Sequence, residues 1–191
     1  MCGRGIQHAL YLLKHGILKH TPAPEYVVYT YITDHIYRLF ARYEISTMND
    51  GLMYYKYNKN NELTEKTDID MWYVHSYILR RIHTFLMRKD IMYSRQYKQK
   101  FMLDHFLAMN KIIKENNPET KFVIFLYDWY GVDINSIINE LQKNGILVIR
   151  NQDISKINFY INKEYKIEGD SHPNEKAWDT IVPLFAKELK L

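Results

Sequence analysis

The fold is decided by the stretch Lys121-Phe122-Val123-Ile124-Phe125-Leu126-Tyr127 and by the segments that follow it. The stretch is almost continuously apolar, which is typical of a strand buried on both faces of a parallel sheet. Periodicity then predicts a helix over residues 133–143, a stop at Gly145 and a second buried strand over 146–149. A strand, a helix and a strand in this order predict a right-handed crossover between parallel strands.

The flanking segments extend this alternation toward both ends of the chain. Residues 26–32 form another β-branched and aromatic run after a Pro-rich stretch, and a helix is predicted before them over 6–18, with Gly16 a weak point rather than a break. The last helix is predicted over 175–189, kinked or restarted at Pro183. We therefore expect an α/β fold with a mostly parallel, doubly wound sheet, in one domain over residues 1–191.

Residues 47–118 differ in character and are predicted to be a mainly helical insertion. An Asn-rich turn at 58–61 predicts a small hairpin between residues 53–57 and 62–64. Two amphipathic helices are predicted next, over 70–87 and 101–116. The apolar stripe of the first consists of Trp72, Val74, Ile78, Leu79, Ile82, Phe85 and Leu86.

Composition excludes several classes of function. The net charge of +4 comes from 26 basic and 22 acidic residues spread along 191 positions, without the clustered Lys and Arg of a nucleic-acid footprint. The single cysteine, Cys2, rules out an intrachain disulfide and a Cys-rich zinc site. No apolar run approaches the length of a membrane span and no export signal is recognisable, so no membrane segment is expected and the cytoplasm is the default location.

Histidine spacing gives no indication of a metal site. His15 and His20 are five positions apart, and His75 and His83 are eight apart, so neither pair has the spacing of two ligands on one turn of helix. We expect neither a metal nor another cofactor.

The most informative segment is Gly169-Asp170-Ser171-His172-Pro173-Asn174, directly before the last predicted helix. A doubly wound sheet binds ligands beyond the carboxyl ends of its strands, which places functional residues after Ile32, Tyr127 and Ile149 and in this loop. His172 can accept a proton from a nucleophile while Asp170 orients the imidazole. The alternative is structural, with Asp170 or Ser171 capping the helix and His172 lying in a surface loop.

The segment from Tyr165 to Asn174 resembles the last signature block of the SGNH hydrolases, the GDSL-like lipases and esterases. In that family an Asp and a His a few residues apart complete a Ser-His-Asp triad. The resemblance implies a three-layer α/β/α sandwich of the flavodoxin-like SGNH type, with Asp170 and His172 as catalytic residues. It implies a small ester or an acylated carbohydrate as substrate, and it does not separate hydrolysis from acyl transfer.

Two N-terminal segments resemble further blocks of the same family. Gly3-Arg4-Gly5 and the helix after it are similar to the second block, where a backbone N–H helps to bind the oxyanion. Residues 27–35 are similar to the strand that leads into the third block, with Thr33 or Asp34 in place of the family's oxyanion-hole Asn. Asp34 and His35 also form a second acid and imidazole pair on the same predicted face as Asp170 and His172, or else a cap for a helix over 36–42.

The first block of the family, a strand that ends in Gly-Asp-Ser, has no counterpart before Gly3. No serine sits at a strand-to-helix turn in a Gly-Asp-Ser context, and Ser171, although it follows Gly169-Asp170, is wedged between the proposed acid and base. No nucleophile is therefore identified among the serines of the chain, which are Ser46, Ser76, Ser94, Ser136, Ser155 and Ser171. We therefore expect an N-terminally incomplete domain whose first strand is missing and whose apolar sheet edge is exposed. The expected function is serine-dependent ester hydrolysis or acyl transfer, possible for this chain only with an upstream serine; the alternative is a non-catalytic α/β interaction domain.

Overall fold

The computed structural model describes residues 5–20, 22–40, 54–66, 76–127, 132–159, 161–168 and 172–191. Eight α-helices lie within these ranges: α1 Ile6–Lys14, α2 Asp34–Arg38, α3 Tyr77–Arg88, α4 Arg95–Asn116, α5 Val132–Asn135, α6 Ile138–Lys143, α7 Asn151–Ile154 and α8 Glu175–Leu189. The described strands are β1 Tyr26–Tyr31, β2 Tyr54–Tyr57, β3 Leu63–Lys66, β4 Lys121–Leu126 and β5 Leu147–Arg150.

Three of these strands form one parallel sheet in the order β1-β4-β5. In the register of this sheet, Tyr26 pairs with Lys121 and Val123 pairs with Leu147. The predicted α/β class and the parallel pairing of the strands are therefore confirmed. The predicted hairpin is confirmed as well, because β2 and β3 pair antiparallel to each other.

Alternate side chains of β4 enter two different cores. Phe122, Ile124 and Leu126 pack with apolar residues of α1, α2, α4, α5 and α6, whereas Val123 and Phe125 pack with residues of α8. Because successive side chains of a strand point to opposite faces, helices cover both faces of the central strand. This double burial explains why residues 121–127 are almost continuously apolar.

Several predicted boundaries differ from the structure for local reasons. The prediction for Gly16 was wrong: this residue has a φ of +81°, which ends α1 and leaves a separate 3-10 turn over Ile17–His20. The helix predicted over 133–143 is two short helices, α5 and α6. The restart predicted at Pro183 is also wrong, because α8 continues through this residue.

Helix α3 differs most from its prediction. It begins at Tyr77, with the Ser76 hydroxyl accepting the N–H of Leu79, while residues 70–75 of the predicted helix lie outside the described parts of the chain. The side chains buried in α3 are His83 and Met87. Of the predicted apolar stripe, Ile78, Ile82 and Phe85 are exposed and Leu79 and Leu86 are half-buried, while Trp72 and Val74 lie outside the described residues. None of the helices in the described ranges is long and apolar enough to traverse a lipid bilayer.

Candidate functional site

The carboxyl ends of the three parallel strands are tied together by hydrogen bonds. The N–H of Tyr127, directly after β4, donates to the carbonyl of Tyr31 at the end of β1, with an N···O distance of 3.0 Å. The Nδ2 of Asn151, directly after β5, donates to the carbonyl of Tyr127 at 3.0 Å. Asn151 is fully buried, and its Oδ1 accepts the Ser155 hydroxyl at 2.6 Å. Asn151 therefore fixes the edge of the sheet at which a doubly wound fold carries its ligand site.

Backbone pairing orders the loop that carries His172. The N–H of Ile167 donates to the carbonyl of His172 at 3.0 Å, and the N–H of Asn174 donates to the carbonyl of Tyr165 at 3.0 Å. The side chain of His172 is exposed. Asp170, Gly169 and Ser171 lie outside the described residues, so the role predicted for Asp170 stays a prediction.

Asn174 joins this loop to α8. Its Oδ1 accepts the N–H of Ala177 at 3.1 Å, which makes it the N-cap of α8. Its Nδ2 donates to the carbonyls of Glu164 at 2.9 Å and Lys166 at 3.1 Å. One side chain thus links the start of α8 to the short 3-10 turn Lys163–Tyr165 and to Lys166 directly after it.

Aromatic packing places this loop at the carboxyl end of β4. The ring of Tyr165 contacts Phe159 with 4.8 Å between ring centroids, and Phe159 lies 6.0 Å from Tyr127. From the other side, Trp178 in the first turns of α8 approaches Tyr127 with a centroid distance of 5.7 Å. The loop of His172 therefore packs near the carboxyl end of β4, at the edge where a doubly wound sheet binds its ligands.

Gly5 lies beside the segment that follows β1. It is the buried residue that precedes α1, and a Cβ atom built on it would lie 3.4 Å from Cβ of Arg38 and 4.0 Å from the carbonyl oxygen of His35. The structure thus brings together two segments that the sequence singled out separately, the glycine turn and residues 33–35. Gly3, the other glycine of that turn, lies outside the described residues.

The three residues Thr33, Asp34 and His35 open α2. The carbonyl of Thr33 accepts the N–H of Ile36 at 3.3 Å. Asp34 and His35 belong to the helix rather than preceding it, and residues 41 and 42 of the helix predicted over 36–42 lie outside the described ranges. The side chain of Asp34 lies outside what the structure describes.

The ring of His35 packs on the face of the sheet that α4 covers. Its Nδ1 is 2.8 Å from the hydroxyl of Tyr29, and its ring meets Tyr31 edge-on. Tyr29 and Tyr31 in turn contact Phe106 of α4. Burial raises the pKa of Tyr29 well above its ordinary value, although the Arg38 guanidinium acts in the opposite direction. Apart from the presence of a tyrosine and a histidine, nothing in the sequence predicted the contact between Tyr29 and His35.

Three serines have structural hydrogen bonds. Ser76 and Ser94 cap α3 and α4 by accepting backbone N–H groups. The hydroxyl of Ser155 donates to Asn151 and accepts the N–H of Ile157 at 3.2 Å. Ser46 and Ser171 lie outside the described parts of the chain. Within those parts, no group of three or more His, Cys, Asp and Glu side chains is arranged to hold a metal ion.

Comparison with protein-family models, curated proteins and solved structures found no match. The interpretation of the site therefore rests on the sequence motif and on the geometry of the carboxyl edge.

Proposed function

We propose that this chain carries the acid–base part of an SGNH-type active site, in a three-layer, doubly wound domain that hydrolyses an ester or transfers an acyl group. The observation that supports the proposal is that two described parts of the motif segments, the loop of His172 and Gly5, lie near the carboxyl ends of β4 and β1. The loop of His172 packs against Tyr127 at the end of β4 through Tyr165 and Phe159. Gly5 lies beside the residues that follow β1.

In the proposed reaction a serine from a Gly-Asp-Ser segment ahead of Gly3 attacks the acyl carbonyl carbon. His172 takes the serine proton, and Asp170 holds the imidazole and stabilises its charged form. The tetrahedral intermediate collapses, the bond to the leaving alkoxide breaks, and His172 returns the proton to that oxygen. Water completes hydrolysis, or a carbohydrate hydroxyl completes transfer, by attacking the acyl-serine with His172 again as base.

The developing oxyanion would be bound by backbone N–H groups of the Gly3–Gly5 turn and by the segment after β1. The proximity of Gly5 to His35 and Arg38 supports a common role for these two segments. A Thr33 hydroxyl could serve as a donor in place of the family's Asn, whereas an ionised Asp34 would repel the oxyanion. Loss of one such donor typically costs about 10² to 10³ in rate.

The decisive experiment starts from the genomic reading frame. The protein is expressed with the in-frame codons that precede Met1, treated with a fluorophosphonate probe, and digested to locate the labelled residue by mass spectrometry. We expect label on a serine of an upstream Gly-Asp-Ser segment. His172→Gln and Asp170→Asn should each slow labelling and p-nitrophenyl acetate hydrolysis by about 10³ or more.

His15→Gln is the matched control. His15 is an exposed histidine directly after α1, and its ring bonds the carbonyl of Tyr11 in that helix. Its rates should equal those of the wild type. A stop codon before Met1 with no Gly-Asp-Ser segment would contradict the proposal, and so would labelling that His172→Gln leaves unchanged. A stable, monodisperse chain with no such reactivity would favour the non-catalytic interaction domain.

A further inference from the structure

Strand β5 forms one edge of the parallel sheet, and its outer side is open. Its residues pair with β4 on one side, while no described residue pairs with its backbone on the other. A groove of about 400 Å³ runs along this outer side, between Gln142 of α6 and Glu188 of α8. Because successive residues of a strand direct their N–H and C=O groups to alternate sides, half of the backbone groups of β5 face the groove without a strand to bind.

The sequence of β5 does not protect this edge. Residues 145–149 read Gly-Ile-Leu-Val-Ile, without the Lys, Pro or inward-pointing charge by which sheets keep a further strand away from an exposed edge. Leu147 is 41% exposed, and it lies on the same face of the sheet as Val123, its partner in the register. An apolar edge strand of high β propensity is a template for pairing with a further strand.

The pleat of the sheet restricts how β5 can pair with the β5 of a second copy, because side chains that lie opposite each other must be on one face. Leu147 and Ile149 lie on the face that α8 covers. Ile146 and Arg150 lie on the other face. An antiparallel pair with its twofold axis at Val148 satisfies this condition. It places Leu147 opposite Ile149 of the second copy, and Ile146 opposite Arg150 of the second copy.

Two polar side chains complement each other in this pairing. Within the described parts of the chain, Arg150 has no ion-pair partner and the side chain of Gln142 has no hydrogen bond. Gln142 and Ile146 line the same groove, so Arg150 of the second copy arrives opposite Ile146 and beside the Gln142 amide, whose oxygen accepts from a guanidinium. The axis repeats this contact, because each copy supplies both the donor and the acceptor.

The charges of the groove agree with a second copy as the occupant. Of the described residues that line the groove, Glu188 alone is charged. It lies at the amino end of the strands, because the carbonyl of the neighbouring Leu189 accepts the hydroxyl of Tyr26 at 3.1 Å, and antiparallel pairing brings Arg150 of the second copy to that same end. The two arginines lie about 13 Å apart along the strands, which exceeds the Debye length at physiological salt.

We propose that two copies of this protein associate through β5, antiparallel about a twofold axis at Val148, and join their described strands into one continuous sheet. The pairing covers Leu147 of both copies, which are diagonal neighbours across the axis. The proposal is independent of the function proposed for the carboxyl edge of the sheet.

The test is sedimentation velocity of the full chain from about 1 µM to about 500 µM, the range in which an interface of small area associates. We expect the sedimentation coefficient to rise with concentration, as a monomer–dimer equilibrium requires. Leu147→Lys should weaken the dimer about 100-fold, at roughly tenfold for each copy, because an apolar contact is lost and two ammonium groups approach each other across the axis. Gln142→Ala should weaken it about tenfold, at roughly threefold for each copy.

Val28→Lys and Asn116→Ala are the matched controls. Val28 is 44% exposed on β1, which is the other edge strand of the described sheet, and Asn116 is an exposed amide on α4. Both variants should dimerise like the wild type. Since Leu147 and Gln142 are exposed, far-UV circular dichroism should show folded variants, and Gln142→Ala tests the proposal even where Leu147→Lys unfolds.

Amide hydrogen exchange identifies the edge that pairs. Alternate amides of residues 147–150 have no bond to β4 and should exchange quickly in the monomer, whereas the dimer should protect them. A chain that stays monomeric up to about 500 µM would overturn the proposal, and so would equal losses in the control variants. A monomer whose alternate amides are protected by a synthetic peptide of residues 145–150 would instead assign the edge to an extended peptide of another protein.

Discussion

The contribution of Asn151 to the carboxyl edge can be measured directly. Asn151→Ala removes the hydrogen bond to the Tyr127 carbonyl and the one from Ser155. Losing the bond from Ser155 should lower the free energy of unfolding by about 1 kcal/mol, and leaving the carbonyl of the buried Tyr127 without its side-chain donor by about 2 kcal/mol. We therefore expect Asn151→Ala to destabilise the protein by about 3 kcal/mol.

Urea unfolding followed by far-UV circular dichroism is the assay. Ser155→Ala, which removes only one of the bonds that Asn151 makes, should cost about 1 kcal/mol. Asn116→Ala removes an exposed amide that bonds the Ile112 carbonyl at 2.8 Å, and should cost no more than about 0.5 kcal/mol. The reasoning is refuted if Asn151→Ala costs as little as Asn116→Ala at an unchanged urea dependence.

Substitutions at three further positions test local features of the fold. Asn174→Ala should lower the free energy of unfolding in urea by about 1–2 kcal/mol and speed amide hydrogen exchange in residues 163–167, because the helix cap and two hydrogen bonds to the loop are lost together. Unchanged exchange rates would contradict this. Gly145→Ala should lower the free energy of unfolding by about 1 kcal/mol, because the φ of +73° strains a residue with a Cβ, while no atom lies within 4 Å of an added Cβ. Gly145→Asn should cost less, and equal costs for the two variants would argue against backbone strain. Burial raises the pKa of Tyr29 in the native state, so the contribution of this residue to stability should be constant below about pH 10 and fall above it. Tyr29→Phe should reduce the alkaline loss of stability by up to about 1.4 kcal/mol per pH unit. Identical alkaline stability profiles of the variant and the wild type would refute this.

The parallel sheet could be predicted because its strands are rich in apolar residues and its central strand, β4, is buried on both faces, although Val28 of β1 and Leu147 of β5 are exposed. Residues 121–127 and 26–32 admit few polar side chains, and that pattern is visible without knowledge of any contact. The end of α1 could not be predicted in the same way, because Gly16 is compatible with a helix and only the observed φ of +81° excludes it. For α3 the spacing identified an apolar stripe correctly, but spacing does not say whether a neighbouring element covers it.

The candidate site, like the fold, could be predicted from the sequence only in part. The rule that ligands bind beyond the carboxyl ends of parallel strands pointed to the position after Ile149, where Asn151 lies. The bond from Asn151 to Tyr127 spans 24 residues and depends on the register of β4 and β5, which the sequence alone does not provide. The contacts of Gly5 could not be predicted from the sequence either, because its neighbours in α2 are more than 25 positions away.

The structure places His35 and the loop of His172 on opposite sides of the sheet, whereas the sequence predicted their acid and imidazole pairs on one face; Asp170 and the side chain of Asp34 lie outside what is described. His35 packs against Tyr29 and Tyr31, on the side of the sheet that α4 covers. The loop of His172 packs through Tyr165 and Phe159 in the second core, on the side of α8. A histidine already held by a buried tyrosine hydroxyl is suited to fixing the turn after β1, whereas the exposed His172 can approach a substrate. Of the two imidazoles, His172 is therefore the one to which the proposed proton transfer belongs, and the segment around His35 is left to position the oxyanion donors.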